Sequence, residues 1–177
     1  MMKEQPIPTC PVPSDQQPIR EYEALKESWF FGWGTLEEPR TQTLHPYWRR
    51  LAWAGFWGWL LAMPIALASF PWQKFPLRFC LASSLGAILS AALVLLRLYL
   101  GWYYIRDRLN AEKVVYEESG WYDGQVWEKP PEVLARDRLI ATYQVTPILQ
   151  HLRQIAFILG SFLVGNSLCW LLLDRLS

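Results

Sequence analysis

Three uncharged apolar runs, residues 51–70, 79–96 and 154–173, constrain this chain more than any other feature. At about 1.5 Å of rise per helical residue, runs of this length cross the roughly 30 Å hydrocarbon core of a bilayer. A water-soluble bundle would have to cover three helices that are apolar on every face, and 177 residues do not supply that cover. The sequence therefore predicts an integral membrane protein, mainly α, with three transmembrane helices. Between the second and third it predicts a small α+β cytoplasmic or stromal module containing a β-hairpin.

Charge fixes the expected orientation. All 33 Asp, Glu, Lys and Arg residues lie outside the runs. Fourteen of the 17 basic residues fall in the N-terminal arm and the large loop, and three in the short loop and the tail. By the positive-inside rule the N-terminus and the large loop face the cytoplasm or stroma, and the C-terminus the lumen or periplasm. The expected divisions are an extended arm with a short amphipathic helix over 1–45, transmembrane helices one and two over 46–105, the loop module over 106–150, and helix three with its tail over 151–177. A net charge of +1 argues against a nucleic-acid partner. Cys10, Cys80 and Cys169 are scattered, giving neither a zinc pattern nor a disulfide framework. The first residues have no apolar or Arg/Ser-rich leader, which predicts a bacterial or organelle-encoded chain unless a leader has been removed.

Local signals divide the remainder. Five prolines before residue 19 predict an extended arm. Ser14 or Asp15 is the expected cap of a helix that carries Pro18 in its first turn. The cluster Trp29-Phe30-Phe31-Gly32-Trp33 is too short to span a bilayer and too aromatic for water, which puts it in the headgroup layer or against the loop module. Pro64 predicts a kink in the first span, and the short connection 71–78 makes spans one and two antiparallel neighbours. Alternation over 114–127, with Ser119-Gly120 and Asp123-Gly124 as turn dipeptides, predicts a hairpin of undetermined register. Residues 132–144 read as helix, with a break at Pro147 before the last span.

Small residues recur at four-residue spacing on each span, around Gly58, Gly86 and Gly165, and predict close helix packing in a compact bundle. No ionisable residue lies mid-span, so transport by a monomer is not expected, and Asn166 is expected to bond across helices. The repeated Arg-Asp-Arg-Leu segments suggest a clasp in which Asp107 meets Arg136 or Arg138 while Asp137 meets Arg106 or Arg108. No nucleophile is paired with a base and no metal spacing is present, so neither an enzyme nor a resident cofactor or metal is expected. His45 and His151, both near helix ends, keep open an alternative in which the protein handles haem, chlorophyll or iron.

Several segments also carry a resemblance: Cys10-Pro11-Val12-Pro13, Ser28-Trp29-Phe30-Phe31, the stretch 95–102, the loop 116–125 beginning Tyr116-Glu117-Glu118-Ser119-Gly120-Trp121, and Arg136-Asp137-Arg138-Leu139. Over roughly residues 10 to 173 the chain resembles the family of hypothetical chloroplast reading frame thirty-six. This is a domain-of-unknown-function family of cyanobacteria and plastids, whose nuclear-encoded relatives are described as conserved in the green lineage and diatoms. The resemblance implies a thylakoid or other photosynthetic membrane, and an association with acclimation to iron limitation. It implies no catalytic residues.

The expected function is that of a non-enzymatic membrane accessory that supports assembly or maintenance of photosynthetic complexes. Its partners would be the lipid bilayer and another membrane protein complex. The contact candidates are Trp29, Phe30, Trp33, Trp121, Tyr122 and Trp127, because exposed aromatic residues anchor interfaces.

Overall fold

The computed structural model describes residues 11–32, 45–117 and 124–176, so Trp33, Trp121 and Tyr122 lie outside the described residues. A short 3-10 turn, Ser14–Gln16, precedes helix α1, Pro18–Glu27. Then come α2, His45–Ser69, and α3, Pro76–Asn110. Strands β1, Lys113–Glu117, and β2, Gly124–Glu128, lead to α4, Pro131–Ile140. A π-helical turn, Ala141–Val145, joins α4 to α5, Thr146–Leu176.

Prolines start three of these helices. Pro18, Pro76 and Pro131 each occupy the first turn of α1, α3 or α4, where an absent N–H is no loss and the fixed φ suits the helix. Gln17, extended at φ −71° and ψ 130°, is the cap position of α1. Ser14 and Asp15, expected as caps, are instead drawn into the 3-10 turn ahead of it.

Three helical segments are long and apolar enough to cross a membrane: Trp48–Ser69, Pro76–Asn110, and the continuous Pro131–Arg175. At ~1.5 Å per residue α3 is about 52 Å long, more than a bilayer core needs, so it extends well past its apolar run. Pro147 does not break the last helix. The π turn widens the backbone, and the carbonyl of Ala141 accepts both the N–H of Thr146 and its hydroxyl, the latter at 2.8 Å.

The seam between α2 and α3 is built on glycine. A Cβ on Gly86 would overlap Ala62 and one on Gly58 would overlap Ser90, with the Gly86 carbonyl only 2.7 Å away. Ser90 Oγ donates to the carbonyl of Ala54 across this crossing at 3.0 Å. The third stripe does not join a seam: nothing lies within 4 Å of a Cβ on Gly165, and Cys169 is exposed. The expected compact bundle is therefore looser. Helix α3 is central, and α2 and α5 both pack extensively on it. Asn166 bonds across helices as expected, its Nδ2 donating to Ser84 Oγ at 2.9 Å and to the Leu81 carbonyl at 3.2 Å. Arg78 and Asp174 pair at 3.1 Å where α3 begins and α5 ends.

The densest core lies at the other end of α3. Leu98, Trp102, Ile105 and Leu109, at spacings that keep one helix face, are buried among Tyr22, Phe31, Ala141, Val145, Ile148 and Leu152.

Candidate functional site

The module is assembled around the last turn of α3. There the helix leaves carbonyls without intrahelical partners. Lys129 Nζ, wholly buried, donates to the carbonyls of Arg108 at 3.0 Å and Leu109 at 3.1 Å, and pairs with Asp137 Oδ2 of α4 at 3.0 Å. All three ammonium protons are thus used, a positive charge sits at the negative end of the α3 dipole, and α4 is tied to it. Such a pair is weak evidence for net stability but fixes the docking of the elements it joins.

This differs from the clasp expected between the two Arg-Asp-Arg-Leu segments. Asp137 is taken by Lys129, with its neighbour Arg136 at 3.4 Å on the other oxygen. Arg138 pairs with Glu112 at 3.1 Å, Arg108 with Glu21 of α1 at 2.9 Å, and Arg106 lies over the Tyr103 ring. Asp107 pairs with neither Arg136 nor Arg138, because Lys129 reaches the α3 terminus from the buried side and leaves the arginines at the surface.

The N-terminal arm is bound to the module by a side chain that imitates a strand. Gln16 Nε2 donates to the Glu117 carbonyl at 3.0 Å, its Oε1 accepts from the Glu117 N–H at 2.9 Å, and its own carbonyl accepts from Arg108 at 2.9 Å. Val12 closes the hairpin's small core against Val114, Tyr116 and Trp127. The register is Lys113 with Glu128, Val115 with Val126 and Glu117 with Gly124.

Helix α1 then lies along α3. The Tyr22 hydroxyl donates to Gln144 Oε1 in the π turn, and its ring meets Trp102 edge-on at 6.3 Å. Burial, opposed in part by Arg108, raises the Glu21 carboxyl above its usual 4.5. Burial, and then the charge of Glu23, likewise raises the Tyr22 hydroxyl above 10.0.

The aromatic candidates separate by environment. Phe31 fills the space left by Gly101, with the Arg97 guanidinium 5.3 Å from its ring centre, so part of the 29–33 cluster packs on α3. Phe30 is half-buried against the same core, whereas Trp29 is 87 % exposed. Trp127 is partly used in the hairpin core. Sequence reasoning missed the outward pair Val115 and Val126, each 59 % exposed, and also Tyr143 on the π turn, 75 % exposed. It missed Gln16, Glu21, Lys129 and Gln144 as well, since long-range partners leave no periodic signal.

A family model described as CGLD27-like, conserved in the green lineage and diatoms 27, matches residues 10–158. The chain belongs to the CGLD27-like family. Its module and π turn lie within the matched region. A chloroplastic protein of Arabidopsis thaliana named for the same conservation is 46 % identical over 157 residues, covering 87 % of this chain. The match takes in only 46 % of that relative, so the chain spans less than half of its length. An uncharacterized protein ycf36 of Pyropia yezoensis is 43 % identical, covering 88 % of this chain and 91 % of its own. The ycf36 of Porphyra purpurea is 44 % identical, over 81 % and 84 %. The resemblance carried by the loop motif is thereby confirmed for this CGLD27-like chain. No solved structure matches it.

Proposed function

We propose that this CGLD27-like protein is a non-enzymatic accessory of a photosynthetic membrane, thylakoid or plasma membrane, and that its module holds another membrane protein complex during assembly, maintenance or acclimation to iron limitation. Insertion is supported by the apolar windows of the three spanning segments, which are only 11, 22 and 6 % buried and so need lipid around them. The location is supported by the relative whose name calls it chloroplastic. The observation that carries the partner reading is the exposed Val115 and Val126 pair, with Trp29, on a module whose backbone is fixed by buried polar bonds. Rigid apolar side chains held clear of their own core make good interface anchors.

Affinity purification from native membranes tests this. The wild type is expected to bring down a photosynthetic assembly intermediate, and Trp29→Ala or the double change Val115→Ser with Val126→Ser to weaken capture about thirtyfold, ~2 kcal/mol. Equal capture by folded variants would overturn the reading.

A second reading, handling of haem, chlorophyll or iron, is favoured by His151. Its Nδ1 lies 2.7 Å from the Pro147 carbonyl; a carbonyl only accepts, so Nδ1 is the donor in this contact, and a neutral ring in that tautomer would offer Nε2 to a ligand. Among the described residues no three His, Cys, Asp or Glu side chains converge, so a metal would arrive within a macrocycle needing one axial imidazole. A purified protein with a stoichiometric Soret or chlorophyll band lost in His151→Ala would establish this reading in place of the first.

A further inference from the structure

A groove runs between α3 and α5, on the module side of the Asn166 bonds. It encloses about 430 Å³ and is almost entirely apolar, walled by Ile88, Ala92 and Leu163 with Gly160 among its lining. Only one charged side chain lines it, Arg153, with Tyr99 beside it in the lining. Among the described residues Arg153 pairs with no carboxylate, whereas Arg97, at similar depth on α3, is already seated over Phe31.

The dimensions select an occupant. From Arg153 to Leu163 α5 rises about 15 Å, half of the roughly 30 Å hydrocarbon core, so the groove covers one leaflet and Arg153 stands at its headgroup edge. The groove is open along one side, where inserted helices would face lipid. A single acyl chain is thin enough, and the unpaired guanidinium calls for an anionic head.

We propose that the α3–α5 groove is a binding site for an anionic glycerolipid of the cytoplasmic or stromal leaflet, its phosphate or sulfonate head on Arg153 and one acyl chain over Gly160. The inference rests on the membrane insertion proposed above. Lipid held there would complete the packing of α5 on α3 that the protein's own side chains leave open.

The test is native mass spectrometry of the full chain in detergent, after incubation with equimolar phosphatidylglycerol and phosphatidylcholine of identical acyl chains. The wild type is expected to retain phosphatidylglycerol about fivefold over phosphatidylcholine, the ratio that corresponds to one basic residue at the surface, ~1 kcal/mol. In Arg153→Gln the ratio should fall to about one. In Gly160→Leu retention of both lipids should fall, because the substitution adds a side chain to the groove wall that Gly160 lines, and a Cβ there meets nothing within 4 Å. Ala156→Leu, on the same wall, blocks the groove by a second route should Gly160→Leu unfold. Equal retention of the two lipids by the wild type, an unchanged ratio in Arg153→Gln, or full retention in the folded leucine variants would overturn the site. Recovery of the wild type from the soluble fraction without detergent would instead overturn the insertion on which it rests.

Discussion

Lys129 is the residue on which the module's assembly most depends. Replacing it with Met leaves buried Asp137 with only the longer, 3.4 Å contact of exposed Arg136 and two α3 carbonyls without a donor, and is expected to cost about 3–5 kcal/mol, read as a lowered unfolding midpoint in detergent. Adding Asp137→Leu should restore most of that loss, because a buried apolar pair needs no partner. Glycine at the seam is equally demanding. The stripe pattern alone suggests that Gly86→Ala is mild and only Gly86→Leu severe, but a single methyl group there already overlaps Ala62. Gly86→Ala is thus expected to destabilise by about 1–3 kcal/mol, and Gly165→Ala, which meets open space, to leave the midpoint unchanged in the same assay. Spacing in the sequence marked both glycines alike, since a four-residue repeat does not say which face has a neighbour. For the same reason the arginine segments were visible as a charge pattern while Lys129, which has no such pattern, was not.

At the scale of elements, α1 is the piece whose docking responds to pH. The Glu21 carboxyl, raised above 4.5 by burial, binds its proton more tightly in the folded protein than in the unfolded chain. The stability this contributes is fully present below pH 4.5 and is lost as pH rises through the folded value. In Glu21→Gln that slope should disappear, seen by comparing the unfolding midpoints of the two proteins from pH 4 upward; parallel curves would show that burial does not dominate at this carboxyl. The elements themselves were largely legible. Three apolar runs gave the long helices, and alternation with two turn dipeptides gave the hairpin, because period and length are local properties. The break expected at Pro147 was not found, since the π turn supplies a local geometry that accommodates a missing donor. The register of β1 on β2 needed the pairing itself, which a six-residue connection does not dictate.

The whole molecule is two regions sharing one helix: a sparsely covered apolar half, and a densely packed module around the far end of α3. Cysteine labelling at Asp15 and Ser177 tests how they sit across a membrane. A reagent confined to the lumen or periplasm is expected to react at position 177 and spare position 15, and the reverse result would invert the orientation. The π turn has a consequence at this scale that is one of phase. It is equivalent to one extra residue in an otherwise unbroken α-helix, and each residue advances such a helix by about 100°. Deleting exposed Thr142 would let the helix close into ordinary α geometry and turn α4 by that angle about the axis of α5, carrying Asp137 away from Lys129. A single residue of chain length therefore sets the azimuth of the module. The deletion variant is expected to keep its helical circular dichroism while its module amides lose protection from hydrogen exchange.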